Sequence, residues 1–485
     1  MKLCVQGHGM SALHLNDSSI SAHAILAGGY DVVVTSYEFV EANASKKTTY
    51  EDKIEAYSKA GDHDAAKPKK PTTALATGLW ALTGLIIKRG YMDEAHVVNK
   101  RDGKRHLALV QLPVSSWCLM SGTLPHNRWH DISGYLDFVK GHPYTSHEKF
   151  MAQFSAPNYT HSASRDIGGA QLLLLQRFLQ ALIVIRPRDV LKLPPCRRLA
   201  FPLDLTNEQA GIVCELTEKY KMCCGMGDQA VTVEDTEETN ALGLAIRAQM
   251  HCLHPRLAPP SEKDDFELDR EVVANTTAAK LNKTYSVEDI SAAEKRKQWL
   301  QELDEWTVEM FDESPHLFAL THFLDSMIKR LPDEKLVVFS QYLKYLDIVE
   351  LIMRKRFGVK CLRYDGTVGQ IRRVEVQKEF SNARPPRPLL ITAGAGSTGL
   401  NLTSGRVVVL TEEWWNASIE AQAISRCHRQ GVKGEVTVVK FHIKNSAIDA
   451  EISRVRESKI RTNTALMARL IHKHDEIPTP VQLLY

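Results

Sequence analysis

The sequence predicts an α/β fold built on a doubly wound parallel sheet, and its last third carries the two observations behind that prediction. Short β-branched and aliphatic runs recur there, and most are separated by segments with helical periodicity. Continuous apolar runs are typical of strands buried on both faces, and their alternation with helices is typical of βαβ units. The runs are Leu336–Phe339, Cys361–Tyr364, Leu389–Thr392, Val407–Leu410 and Val436–Val439.

Polar residues follow several of these runs directly. They are Ser340-Gln341, Asp365-Gly366-Thr367, the stretch from Ala393 to Gly399, and the stretch from Glu412 to Asn416. In open α/β sheets, ligands bind outside the carboxyl ends of the strands. We therefore expect the binding residues of this part of the chain to lie at that edge.

The front of the chain shows the same pattern less clearly. A strand is predicted within Asp31–Tyr37, and another within Ser115–Met120, which leads into Ser121-Gly122-Thr123. Residues 44–76 are rich in Lys, Asp, Ala and Pro and are expected to form a surface excursion. Within them, Lys67–Pro71 is interpreted as a solvated loop, with a nuclear localisation signal as the alternative.

The middle of the chain has long helical stretches and few strand signals, and two polar segments, 225–240 and 259–271, are expected to loop out. We expect a helical insertion between two α/β lobes. The expected boundaries are 1–140 for the first lobe, 141–312 for the insertion, 313–470 for the second lobe and 471–485 for a tail.

The composition is that of a globular protein, with 44% hydrophobic and 25% charged residues in 485. No apolar run reaches the ~20 residues of a membrane span and no signal peptide is recognised, so an intracellular protein is expected. Nine cysteines indicate reduced thiols. A zinc site formed by Cys223-Cys224 and the stretch from His251 to His254 is the alternative, although the spacing is irregular.

A short helix near the C-terminal end carries the most distinctive polar face. Gln422, Arg426 and Arg429 stand at i, i+4 and i+7, so one helical face would carry an amide and two guanidinium groups. We expect Asn416 or Ser418 to cap its start and Gly431 to end it. Such a face can bind phosphate, and a solvated charged helix is the alternative.

Two further segments carry chemistry. The tetrapeptide from Asp93 to His96 follows a short apolar approach, and paired carboxylates at a strand end can hold Mg²⁺ and orient a water molecule. The stretch from Ser121 to Asn127 supplies hydroxyls and an amide after the next strand. A solvated turn and a capped turn, respectively, are the alternatives.

The order and spacing of these segments resemble the serial motifs of the Swi/Snf-type DNA-translocating ATPases of helicase superfamily two, from about residue 4 to 455. The most specific similarity runs from Leu389 to Gly431. It contains Gly399-Leu400-Asn401-Leu402, Trp414-Trp415-Asn416, and the helix from Gln422 to Arg429. The segment from Ile185 to Pro195 is similar to the one that follows the first lobe in that family.

The resemblance implies two RecA-like lobes, the first incomplete, with ATP bound in the cleft between them. It implies that Asp93 holds Mg²⁺ and that Glu94 orients the attacking water. Arg426 and Arg429 are then expected to reach the γ-phosphate, with Gln422 on the same face. Such an arginine finger typically contributes ~10³–10⁵ in rate.

The resemblance also implies roles for residues that contact ATP less directly or contact DNA. The residues implied to bind ATP or couple it to DNA are His96, Ser121, Thr123 and Gly399. The residues implied to contact phosphates of the DNA strand are Thr35, Ser36, Thr392, Gly394 and Asn401. The expected partner is double-stranded DNA or chromatin, the expected process is chromatin remodelling or DNA repair, and the expected location is the nucleus.

The sequence departs from the family pattern in one major respect. The 485 residues contain no Gly-x-x-x-x-Gly-Lys-Ser/Thr loop, and the resemblance implies that Met1 follows that loop and one strand of the first lobe. Smaller departures are Pro125, Glu412-Glu413, Ala417 and Val432, while Gly90 is expected to weaken the strand before Asp93.

Three functional hypotheses remain open on the sequence. The first is a DNA-dependent ATPase of remodelling or repair that hydrolyses ATP poorly or not at all in this chain. The second is a non-catalytic module that binds DNA or a protein partner. The third is a chain without a stable fold. Assays of ATP hydrolysis, DNA binding and cooperative melting separate the three.

Overall fold

The computed structural model describes residues 10–17, 19–60, 67–69, 71, 87–122, 124, 129–155, 167, 169–185, 191–224, 235–258, 287–396, 399–468 and 470. These residues form two compact units. The first unit contains the described residues up to Val184 together with 462–470, and the second contains those from Ile185 to Arg461. No helix of the described part is long and apolar enough to cross a membrane.

The described strands of the first unit form two separate two-stranded parallel sheets. One sheet pairs β1 Ala12–Leu15 with β2 Val32–Thr35, and the other pairs β3 Ile87–Met92 with β4 Val114–Leu119. The helices are α1 Ala22–Ala27, α2 Tyr37–Ala60, α3 Lys104–Val110, α4 Ile132–Leu136, α5 His147–Phe154 and α6 Gly169–Gln180.

One face of the β3–β4 sheet packs on the core of the first unit, and the other face is exposed among the residues that the structure describes. Met92 is 2% exposed in that core, and Trp117 and Leu119 pack against it. Tyr91, on the opposite face, is 61% exposed. Strands of parallel sheets are usually buried on both faces. Among the described residues, this sheet differs, because only one of its faces is covered.

The first part of the surface excursion expected at 44–76 is helical, because α2 continues to Ala60. The segment has no Gly or Pro between Tyr37 and Ala60, and i,i+4 pairs such as Lys47 with Glu51 support an exposed helix. Its polar composition had suggested a loop. Part of the Lys67–Pro71 stretch is described and lies outside helices and strands, whereas Lys70 lies outside the described residues.

The second unit is built on a six-stranded sheet in which each neighbouring pair is parallel, in the order β5-β10-β9-β6-β8-β7. The strands are β5 Cys196–Leu203, β6 Leu336–Ser340, β7 Leu362–Tyr364, β8 Leu389–Thr392, β9 Val407–Leu410 and β10 Val436–Ile443. Strands β6 to β10 coincide with the apolar runs. The predicted doubly wound parallel sheet is therefore confirmed.

Helices cover this sheet on both faces. They are α7 Asn207–Cys223, α8 Asp235–Leu253, α9 Val287–Asp304, α10 Val308–Asp312, α11 Pro315–Arg330, α12 Leu343–Phe357, α13 Gln370–Asn382, α14 Ala393–Gly396, α15 Ala417–Cys427 and α16 Ala447–Met467. Successive residues of β6 point into different cores: Val338 belongs to one buried cluster, and Val337 and Phe339 to another. All five β6 residues are buried, as the continuous apolar run predicted.

The expectation of a helical segment at 141–312 needs correction, because β5 lies within it and forms the edge of the second unit's sheet. The strand contains Arg197, Arg198 and Pro202, so it shows no continuous apolar run. Proline is tolerated in edge strands because its missing N–H need not pair there. The rule that finds buried central strands therefore misses this one.

Candidate functional site

The helix with the most distinctive polar face, α15, forms close to where it was expected. Asn416 caps its start by accepting a hydrogen bond from the Ser418 N–H at 2.9 Å. Gln422 and Arg426 lie on the helix, but it ends at Cys427, and Arg429 lies in the turn beyond. Gly431, at φ +97°, ends that turn and not the helix.

The end of α15 is fixed to the loop after β8. The Leu402 N–H donates to the Arg426 carbonyl at 2.9 Å, and Arg429 Nη1 donates to the Leu400 carbonyl at 3.0 Å. His428 Nε2 lies 2.7 Å from the Pro194 carbonyl, which ties the same turn to the segment before β5. The position of Arg429 therefore depends on the loop and not on the helical repeat alone.

Three side-chain amides of this unit have a buried Nε2 donor without an acceptor among the described residues. They are Gln209 on α7, Gln341, which follows β6, and Gln422 on α15. Leaving a buried donor unpaired costs ~1–3 kcal/mol, so such groups usually have a partner. An oxygen-rich anion such as phosphate supplies acceptors of the required kind. Gln341 and Gln422, which follow strands of the sheet, could each donate to a phosphate oxygen.

The end of β8 and the segment that follows it carry the three DNA-contact candidates of this unit. Thr392 is only 1% exposed, and its Oγ1 has no hydrogen-bond partner in the described part of the chain. Gly394 lies in α14 and is partly exposed, and Asn401 is exposed, with its carbonyl accepting from Gln377 Nε2 at 3.1 Å. Gly399 is exposed and has φ +41°. Asn401 is thus accessible, whereas Thr392 is covered.

In the first unit, the ends of β3 and β4 bring two predicted segments together. The Met120 N–H donates to the Met92 carbonyl at 2.8 Å, and the Ala95 N–H donates to the Met120 carbonyl at 2.8 Å. His96 Nδ1 lies 3.3 Å from Glu94 Oε2 and 3.4 Å from Ser121 Oγ. The fold therefore connects Glu94 to Ser121 through His96. Thr123 lies outside the described residues.

The two carboxylates of this segment are held by different means. Asp93 Oδ1 accepts from the Glu94 N–H at 3.1 Å, and the Asp93 carbonyl accepts from the Tyr37 hydroxyl at 2.7 Å. Burial, together with the charges of Asp93 and Glu94, raises the pKa of Tyr37, so its hydroxyl remains a donor. Glu94 adopts φ 50°, an uncommon left-handed conformation for a residue other than glycine. Such conformations cluster at functional sites.

Thr35 and Ser36 use their hydroxyls in local structure. Thr35 Oγ1 donates to the Leu15 carbonyl at 2.9 Å, and Ser36 Oγ accepts from the Phe39 N–H at 3.1 Å at the start of α2. Both hydroxyls therefore take part in local hydrogen bonds, and their implied contacts with DNA stay a prediction.

The zinc interpretation finds no support in the described part of the chain, where no group of three or more His, Cys, Asp or Glu residues could hold a metal ion. Cys252 is buried against Ser446, with Sγ and Oγ 3.3 Å apart. His254 engages both ring nitrogens, with the Met310 carbonyl at 2.9 Å and the Arg256 N–H at 3.2 Å.

Sequence reasoning missed Glu412 and Gln249 as organising residues. The Glu412 carboxylate accepts from Ser340 Oγ, the Gln341 N–H, Thr411 Oγ1 and Trp414 Nε1. Gln249, 2% exposed, accepts from the Tyr342 hydroxyl and Trp415 Nε1 and donates to the Glu413 carbonyl. The signal for Glu412 was present, because it departs from the family's usual residue; Gln249 gave none.

Comparison with known proteins places these motifs in a family. The model of the SNF2-related domain matches residues 3–257, and that of the helicase conserved C-terminal domain matches residues 319–431. The DNA repair protein RAD5 of Cryptococcus neoformans is 39% identical over 147 residues, which cover 30% of this chain and 12% of that protein. DNA repair protein RAD5B of Arabidopsis thaliana is 38% identical over 154 residues, or 32% of this chain and 12% of that protein.

One relative matches most of the chain at lower identity. The helicase-like transcription factor of Mus musculus is 24% identical over 444 residues, covering 76% of this chain and 42% of that protein. The chain thus spans less than half the length of each of these relatives. The SWI2/SNF2 ATPase core of Sulfolobus solfataricus, solved in complex with double-stranded DNA, has a TM-score of 0.37 at 16% identity, covering 96% of this chain and 80% of that one. Since the SNF2-related model alone matches more than half of its residues, the chain belongs to the SNF2 family of helicase-like proteins.

Proposed function

We propose that the chain contributes to ATP-dependent translocation on double-stranded DNA, in DNA repair or chromatin remodelling in the nucleus. We further propose that the 485-residue polypeptide by itself hydrolyses ATP weakly or not at all. Relatives named as DNA repair proteins support the process. The absence of a Gly-x-x-x-x-Gly-Lys-Ser/Thr loop from the 485 residues supports the weak activity.

The observation that carries the proposal is that two of these buried amide donors, on Gln341 and Gln422, lie in segments that follow strands of the second unit's sheet. Phosphate oxygens would satisfy both, and Arg426 on the same helix as Gln422 would add positive charge. ATP with Mg²⁺, when bound, would supply the terminal phosphate to be cleaved.

The first unit's residues would act on the water and the metal ion. Asp93 would hold Mg²⁺, because a carboxylate at a strand end suits its preference for oxygen ligands. Glu94, fixed beside His96, would orient the attacking water and accept its proton. Ser121 contacts His96, which contacts Glu94, so a change at Glu94 would be transmitted through His96 to the segment after β4.

ATP hydrolysis with and without double-stranded DNA tests this proposal. We expect turnover near the background rate for the chain and for Glu94→Gln, with Glu375→Gln on the exposed face of α13 as the matched control. DNA-stimulated turnover that Glu94→Gln abolishes but Glu375→Gln retains would support a DNA-dependent ATPase that uses Glu94, and it would refute the proposed weakness. A chain that neither hydrolyses ATP nor binds DNA would agree with the proposed weakness but refute the proposed role on DNA.

A non-catalytic DNA-binding module is the second candidate, and the exposure of Asn401 favours it. Lys378, also exposed, follows Gln377, whose amide contacts the Asn401 carbonyl. If this surface binds phosphates of a duplex without nucleotide, Lys378→Gln is expected to lower the salt slope of binding by about 0.9. Lys329→Gln, on α11, is the control and should leave the slope unchanged. Equal slopes for both variants and the parent would remove this surface from consideration.

A further inference from the structure

Four charged side chains of the second unit form a closed ring beside α15. Lys440 Nζ lies 3.2 Å from Glu413 Oε2 and 2.6 Å from Glu420 Oε2. Arg456 Nη1 lies 2.6 Å from Glu413 Oε2 and 3.0 Å from Glu420 Oε2. Each cation therefore contacts both anions, and the ring of these four residues, the charge ring, has no net charge.

The charge ring joins four parts of the unit. Glu413 lies in the loop after β9, Glu420 in the first turn of α15, Lys440 in β10 and Arg456 in α16. Glu413 and Glu420 lie on either side of Asn416, the residue that caps α15. The side chains are 4–21% exposed, so water screens these pairs much less than it screens surface ion pairs.

Lys440 is an unusual residue for its position in the sheet. β10 lies between β5 and β9, and five of its eight residues are apolar and buried, whereas Thr437 is partly buried and His442 is exposed. A lysine in a strand with a neighbour on each side interrupts the apolar pattern expected of parallel sheets. Removing one member of a buried ion pair is strongly destabilising, because the remaining charge is left uncompensated.

Glu413 is the member of the charge ring that departs from the family pattern, in which proline usually occupies this position. The departure would indicate relaxed constraint if the Glu413 side chain were solvated. Instead its carboxylate contacts two cations and its carbonyl accepts from the buried Gln249. A proline here would remove the carboxylate and leave Lys440 and Arg456 with a single anion.

We propose that Glu413, through the charge ring, is a positioning residue that fixes the orientation of α15 and hence of Arg426. Glu420 and Arg426 are six residues apart, or about 9 Å along the helix axis, so a tilt at Glu420 displaces the guanidinium. The role of Arg426 in phosphate recognition rests on the proposed function. The anchoring of α15 does not, because it follows from contacts within the second unit.

Hydrogen exchange of the full chain, measured by mass spectrometry without nucleotide or DNA, tests the anchoring. Amides of α15 are expected to exchange about tenfold faster in Glu413→Gln and in Glu413→Pro than in the parent, a factor that corresponds to about 1.4 kcal/mol. Amides of β6 should keep their parental rates. Asp325→Asn, which breaks an exposed pair with Lys329, is the matched control and should change neither segment by more than about twofold.

A double-mutant cycle separates the charge ring from a general packing effect. Lys440→Met alone should accelerate α15 exchange, but Glu413→Gln with Lys440→Met should accelerate it less than the product of the single effects, since one charge of each sign has gone. Arg456→Lys keeps the charge and is expected to stay within about threefold of the parent.

Three results would overturn the inference: unchanged α15 exchange in both Glu413 variants, equal acceleration in α15 and β6, or multiplicative single effects in the double variant. If the parent chain binds neither ATP nor DNA, the proposed function is contradicted, but the exchange results still test the anchoring of α15.

Discussion

At the scale of single residues, the second unit depends on a buried carboxylate that the sequence did not single out. Glu412 accepts hydrogen bonds from side-chain and backbone donors of the segments after β6 and β9. Burial raises its pKa, while these hydrogen bonds act in the opposite direction. The carboxylate thus joins two loops that follow different strands of the sheet.

We expect Glu412→Gln to lower the free energy of unfolding of the second unit by about 2–4 kcal/mol, because an amide NH₂ would face donors that now share a carboxylate. Urea denaturation measures the change. Glu375→Gln, which removes only an exposed contact with Arg372, should cost less than about 0.5 kcal/mol. Equal costs for the two variants would show that Glu412 does not organise these loops.

Asp449 gives the unit a predicted pH dependence. Burial and the neighbouring Glu413 raise its pKa to about 7, from 3.8. A carboxyl group whose pKa is raised on folding stabilises the folded state below its unfolded pKa, and this contribution is lost as pH rises towards 7. The difference in unfolding free energy between Asp449→Asn and the parent should therefore favour the variant more at pH 8 than at pH 4, by on the order of 2–4 kcal/mol.

The comparison must be made between variant and parent, because His316 acts in the opposite direction. Burial lowers the pKa of His316 to about 4, so its contribution is lost as pH falls below about 6.5. Urea denaturation of both proteins at pH 4, 6 and 8 cancels the His316 effect in the difference. A difference that does not vary with pH would contradict the assignment to Asp449.

At the scale of secondary-structure elements, β3 shows why a residue that weakens a strand in isolation is retained. A Cβ on Gly90 would overlap the ring of Trp117 on β4, so glycine permits the two strands to pair. Gly90→Ala should destabilise the first unit by about 1–3 kcal/mol through overpacking. Adding Trp117→Leu should recover part of that loss. Thermal unfolding of the single and double variants measures this recovery. If the double variant loses the sum of the two single losses, the clash between residue 90 and Trp117 is excluded.

The strands of the second unit that are buried on both faces were predictable, because burial requires a continuous apolar run. β5 was not, since an edge strand tolerates arginine and proline, and α2 was not, since an exposed polar helix has the composition of a loop. The segments that carry the candidate site residues could be named from the sequence, and the roles of those residues stay predictions. Burial and helix ends depend on packing, so the sequence could not show that Thr392 is covered or that Arg429 lies beyond the helix.

At the scale of the whole molecule, the two units differ in how much sheet they contain. The second has six paired strands with buried clusters on both faces, and the first has two separate strand pairs among its described residues. Two-stranded sheets are marginal without further packing. We expect a fragment of residues 185–461 to unfold cooperatively in urea, and one of residues 1–184 to show a broader transition at lower urea. The reverse order would contradict this division.

The edge position of β5 affects how fragments of this chain behave. A fragment beginning at 313 would keep β10 but lose the strand that pairs with it along its whole length. The freed edge, Val436–Ile443, is rich in β-branched residues and has no proline. An uncovered strand of that composition is a template for pairing between molecules, so such a fragment should self-associate at concentrations where 185–461 stays monomeric. Light scattering of the two fragments distinguishes them.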